Sequence, residues 1–133
     1  AFKVFLLDVG LLGAMSELDS KSIIEGNTLF EEFKGALTEQ YACQELIASC
    51  GLVPYYWSAE NSRGEVDFLV QSAGAVYAIE VKAEENLRAK SLRSFKEKYP
   101  EIQARRFSLS DYREQDWLTN VPLYLMGNTG LWL

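Results

Sequence analysis

The chain contains no histidine. That absence removes Ser–His and Cys–His nucleophile systems, His-ligated zinc and imidazole acid–base chemistry. Any hydrolytic chemistry must run on carboxylates, lysine and a metal ion. Cysteine is scarce, with only Cys43 and Cys50. Seven residues along a predicted helix is about two turns or ~10 Å, too far for a disulfide. Both read as small buried apolar residues in a reducing compartment. No apolar run approaches the ~20 residues of a membrane span, and no signal peptide is visible. A soluble, cytoplasmic protein with no membrane partner is expected. The chain lacks an initiator methionine and opens on Phe2-Lys3-Val4-Phe5-Leu6-Leu7. The expectation is a piece of a longer protein.

What is present suits one domain, residues 1–133. Hydrophobic residues make up 48% of the chain, too many for a disordered segment. The net charge of −6 argues against a surface coated for nucleic acid. Yet eight of the 13 Lys/Arg fall within 82–106. Among them Arg88, Lys90 and Arg93, together with Arg63 upstream, are candidate phosphate contacts. The plainer reading of that segment is a solvated helix face.

Apolar periodicity, caps and breakers place the elements. Residues 2–7 read as a strand, with Asp8 as a turn or cap residue. A helix is expected over about 29–50, capped by Asn27 or Thr28 and stopped by Gly51. Strands follow at about 53–58, 65–71 and 75–82. A second helix over about 87–98, capped by Asn86, carries Leu92, Phe95 and Tyr99 inward. Strands at 102–108 and 121–126 complete the chain. The second helix serves as a crossover, making the strand at 102–108 parallel to that at 75–82. The fold class is therefore α/β, an αβββαβ core with a mixed sheet and a helix on each side.

The segment 64–82 carries the chemistry. Side chains alternate along a strand, so Glu80 and Lys82 share one face and Ile79 and Val81 the other. With Ala73-Gly74 at the centre of an even loop, Val70 faces Tyr77, Phe68 faces Ile79, Asp67 faces Glu80 and Glu65 faces Lys82. Opposed carboxylates repel unless something positive lies between them. That is apparatus for a hard divalent cation and an activated water. The plain alternative is exposed acids paired with lysines or water, and Glu65 is positioned to neutralise Lys82. Glu39 lies in an apolar helical stripe with Ala36, Cys43 and Leu46, where a carboxylate is costly unless paired. It reaches the stripe's edge, pairs with a lysine, or joins the hairpin acids. Gln40 and Glu45 read as ordinary surface residues. The tract Tyr55-Tyr56-Trp57 suits sheet packing, or base stacking.

Glu39, Asp67 and Glu80-Val81-Lys82, on helix, strand and strand, resemble the PD-(D/E)XK nuclease superfamily over about 28–108. A closer resemblance rests on Phe5-Leu6-Leu7-Asp8-Val9-Gly10-Leu11, Gly35-Ala36-Leu37-Thr38-Glu39, Arg63-Gly64-Glu65-Val66-Asp67-Phe68 and Ala78-Ile79-Glu80-Val81-Lys82. These segments resemble a domain of unknown function that forms the C-terminal part of prokaryotic AAA-type ATPases. The resemblance implies a restriction-endonuclease-like fold and an N-terminal ATPase domain in the full protein. No Gly-x-x-x-x-Gly-Lys-Ser/Thr loop occurs here, so no ATP site is expected in this stretch. It also implies Mg²⁺ or Mn²⁺ on Asp67, Glu80, the Val81 carbonyl and Glu39, with Lys82 orienting a water for DNA hydrolysis. The alternative is a non-catalytic domain using the same fold for protein contacts or assembly; oligomerisation stays open.

Overall fold

The computed structural model describes residues 2–17, 19, 21, 28–60, 64–83 and 89–133. Among the described residues the helices α1 (Val9–Met15) and α2 (Thr28–Ala48) precede the sheet. Then come β1 (Tyr55–Ser58), β2 (Glu65–Ser72), β3 (Ala75–Val81), α3 (Lys90–Lys98), β4 (Gln103–Ser108), β5 (Arg113–Glu114) and β6 (Thr119–Pro122). The six strands form one mixed sheet in the order β1-β2-β3-β4-β6-β5. The expected α/β class and the order helix, three strands, helix, strand are observed. The β3–β4 pair is parallel, as the crossover through α3 requires.

The hairpin turns through Ala73 and Gly74 with φ of 48° and 79°. Positive φ at both positions matches the right-handed twist of the flanking strands. The pairs Val70–Tyr77 and Phe68–Ile79 are those the pattern predicts. Alternation then sorts the apolar residues onto two faces. Ala42, Cys43 and Leu46 of α2 cover Phe68, Tyr77 and Ile79. Leu92 and Phe95 of α3 cover Val66, Ala78 and Ala104. Both cysteines are free thiols.

The β1–β2 ladder is irregular beside the acid of β2. Tyr55 pairs with Leu69 but Trp57 with Val66, so Tyr56 alone stands against both Asp67 and Phe68. The extra residue on β2 explains why Val66 packs under α3 while Phe68, two positions on, packs under α2.

Several expectations are corrected. Residues 2–7 belong to no strand; the Leu6 and Val9 amides at the end of this segment bond to side chains of α2 rather than to a neighbouring strand. Residues 53 and 54 precede β1, which starts at Tyr55. The last long strand is β6 at Thr119–Pro122, and Leu123–Leu125 tighten into a 3₁₀ turn. The short β5 has no counterpart in the sequence pattern, because two exposed residues give no periodicity. Asp8 caps α1, its carboxylate accepting the Leu11 N–H at 2.7 Å. The expected caps Asn27 and Asn86 lie outside the described residues, as does the side chain of Thr28. Tyr99 ends α3 with its ring on Phe95 at 4.8 Å but stays 38% exposed.

Candidate functional site

Asp67 sits where the β2–β3 ladder stops. The last pair is Phe68–Ile79, one short of the expected Asp67–Glu80 pairing. Instead the Val81 N–H donates to Asp67 Oδ2 at 2.8 Å, so a carboxylate takes a place the neighbouring strand would have filled. The bulge turns Asp67 out of strict alternation, which sequence periodicity cannot reveal.

On the α2 side, the Lys3 ammonium donates to Glu39 Oε2 at 3.0 Å and lies 3.7 Å from Asp67 Oδ1. It also lies over the Tyr56 ring, 4.9 Å from the centroid. Of the three fates open to Glu39 in the sequence, pairing with a lysine is observed, and that lysine also reaches the hairpin acid Asp67. Glu80 alternates with the α2-facing Ile79 and Val81, so its side chain leaves on the α3 side. There Lys82 Nζ lies 3.3 Å from Glu80 Oε1, while Glu80 Oε2 is buried without a hydrogen-bond partner. Arg106 is the register neighbour of Glu80 on β4 and is 2% exposed. Its Nε donates to Asn120 Oδ1 at 2.9 Å, and the Ser108 hydroxyl donates to the same oxygen at 2.8 Å.

The charges respond to this burial. Desolvation drives the Asp67 carboxyl up to about 6; the Val81 N–H opposes it, Glu39 and Glu80 add to it, and Lys3 opposes it. Burial also pushes Glu80 up, against the pull of Lys82 and Arg106. For Lys3, burial lowers the pKa, but the Glu39 hydrogen bond and the Glu39, Asp67 and Glu65 charges outweigh it, and the net shift is upward. Asp67 is thus coupled electrostatically to both other acids, although the side chains stand as two ion pairs on either side of it. Among the described residues no three acids or cysteines are gathered as a ready metal cage.

The remaining candidates divide. Arg63 and Arg88 lie outside the described residues. Lys90 lines an 890 Å³ open groove between β1 and α3, with Trp57, Ser91, Ser94 and Lys98 on its wall. Arg93 is engaged by Glu97 at 3.2 Å and stacks toward Trp117. Trp57 packs on Phe95 at 4.7 Å, the packing use of the aromatic tract, whereas Tyr55 is exposed. The Tyr56 hydroxyl donates to Glu65 Oε2 at 3.2 Å, which holds Glu65 on its own side of the hairpin.

Sequence reasoning misses three residues. Gln40, which reads as surface, is 2% exposed and brackets Leu6, accepting its N–H at 2.8 Å and donating to its carbonyl at 2.9 Å. Lys3 is hidden in a segment that reads as strand. Arg106 carries one available signal, an arginine on the same strand face as the buried Ala104 two residues before it.

A mixed-sheet α/β domain with two buried acids, each paired with a half-exposed lysine, at the β2–β3 split is the class this geometry defines. The profile of a domain of unknown function, DUF4143, matches residues 34–126, and the chain belongs to that family. Comparison with curated proteins and with solved structures finds no match. Among the described residues no helix is long and apolar enough to cross a membrane.

Proposed function

We propose that this chain is a nuclease-like domain whose Glu39, Asp67, Glu80 and Lys82 bind Mg²⁺ or Mn²⁺ and hydrolyse phosphodiesters, DNA being the candidate substrate. In this reading the full protein also carries an N-terminal AAA-type ATP-binding domain. The observation that supports it is the orphaned Glu80 Oε2, buried on the α3 side of the sheet but within electrostatic reach of a second buried acid, Asp67. A buried carboxylate oxygen without a partner is costly and calls for positive charge. The donor set of hard oxygens suits a magnesium-like ion.

Asp67 and Glu80 would hold the ion, with the Val81 carbonyl and Glu39 completing the set. A bound divalent cation supplies Lewis-acid activation of a water. The chain's own contribution is the rest. The Val81 N–H fixes the Asp67 carboxylate in place. Lys82, whose side chain is 36% exposed, reaches solvent while anchored to Glu80, so its ammonium can orient a water and offset negative charge on a phosphate.

The test is a MnCl₂ titration followed by melting. Saturation to about 100 times Kd adds about 2.7 kcal/mol of stability, a rise of several degrees that Glu80→Gln should abolish. Lys82→Ala should keep the shift and lose cleavage of supercoiled plasmid and of single-stranded oligonucleotide. Neither shift nor cleavage in the wild type would remove the proposal.

A second reading is favoured by the same cluster seen as it stands. The two lysines already neutralise much of the acid charge, as they would in a non-catalytic assembly domain of the same ATPase. Full parent ATPase activity in Lys82→Ala, with assembly lost on deleting the domain, would select it.

A further inference from the structure

The segment 2–7 crosses the candidate site without belonging to the sheet. Phe2, Val4 and Leu7 are exposed at 86%, 77% and 84%, so the strap contributes little of its own surface to the core. Phe5 reaches inward, 5.6 Å from Phe68 between ring centroids, and Lys3 and Leu6 are half-buried. The backbone is held by side chains of α2: Gln40 brackets Leu6, and Gln44 Oε1 accepts the Val9 N–H at 2.9 Å. Bonds of this kind contribute little net stability each, because water replaces them on release. The strap is therefore a lightly tethered element, and it delivers one ammonium to Glu39 and Asp67.

Those two carboxylates are also candidate ligands. An ammonium 3.0 Å from Glu39 Oε2 and 3.7 Å from Asp67 Oδ1 occupies the space from which a cation would take their oxygens. A dication entering that space meets like charge at close range, a repulsion that low-dielectric surroundings strengthen. Both cannot be held by the same oxygens. We propose that Lys3 is a built-in counter-cation that competes with the divalent ion for Glu39 and Asp67, so that ion entry and release of the 2–7 strap are one exchange. The inference rests on the ion-binding reading above. It assigns Lys3 a regulatory rather than a catalytic part.

The experiment compares MnCl₂ binding to wild type and Lys3→Met by calorimetry. In parallel, hydrogen exchange is read at the Leu6 and Val9 amides of the wild type with and without Mn²⁺. Competition predicts a midpoint on the order of tenfold lower in Lys3→Met, and faster exchange at both amides once the wild type is loaded. Lys3→Gln serves if Lys3→Met loses its circular dichroism. Equal or weaker binding in the variant, with unchanged amide exchange in the loaded wild type, would overturn the competition and leave the ion site standing. No Mn²⁺ binding in either chain would overturn both.

Discussion

Asp67→Asn is expected to raise stability at pH 8 and to leave it unchanged at pH 4. The folded state holds the Asp67 carboxyl up to about 6, against an ordinary value of 3.8. A carboxyl raised on folding binds its proton more tightly in the native state than in the unfolded one. Its ionisation therefore opposes folding: the penalty is absent below the unfolded value, grows as pH rises between the two, and is complete above the folded one. Two units correspond to about 3 kcal/mol. Asparagine keeps an acceptor for the Val81 N–H but weakens the hold on Lys3, so a gain of about 2 kcal/mol above pH 7 is the expected net. Urea denaturation of both proteins from pH 4 to pH 8 measures it. Parallel stability curves, with no divergence between pH 4 and pH 6, would show that Asp67 is not held ionised at a cost. The result bears on function because a group kept charged against its surroundings is a mark of sites selected for something other than stability.

Trp132→Ala should produce the largest loss of stability. Trp132 is 2% exposed and meets Phe107 and Tyr77 edge-on at centroid distances of 5.2 and 6.1 Å. Its indole N–H donates to the Met126 carbonyl at 2.9 Å, and its own carbonyl accepts from Arg105 Nε at 2.6 Å. Truncation would remove the largest plug of the α2-side core and leave the Met126 carbonyl without its indole donor. Removing a buried tryptophan costs about 4 kcal/mol, against a total of roughly 5–15 kcal/mol for a domain. Melting should fall by on the order of 12 °C. A fall of under about 3 °C in calorimetry would mean that the C-terminal turn does not close that core. Trp132 lies beyond the family match at 34–126, as Lys3 lies before it. Residues on both sides of the match thus contribute to the candidate site and to the core.

Much of the frame was legible. The period-2 run on either side of Ala73-Gly74 defined the hairpin and its register as far as Phe68–Ile79, because a buried face penalises any one-residue slip. Gly51 and the apolar spacing bounded α2. Glu39 in an apolar stripe was recognisable as a carboxylate needing a partner. The identity of that partner was not legible, since Lys3 stands 36 residues away and nothing local couples the two. Gln40 looked like surface because its polarity satisfies a backbone rather than water. The same cause misplaced a strand at the start of the chain: residues 2–7 have strand-like composition, but the amides that anchor them bond to side chains.

By itself the sequence determined the periodicities, the turn, the helix limits and the exclusion of imidazole chemistry, all of which act over a few residues. Only the tertiary structure decided the bulge at Asp67, the arrival of Lys3 between two acids and the isolation of one Glu80 oxygen. Those depend on which distant groups share a low-dielectric space, where a missing or added charge outweighs any local preference.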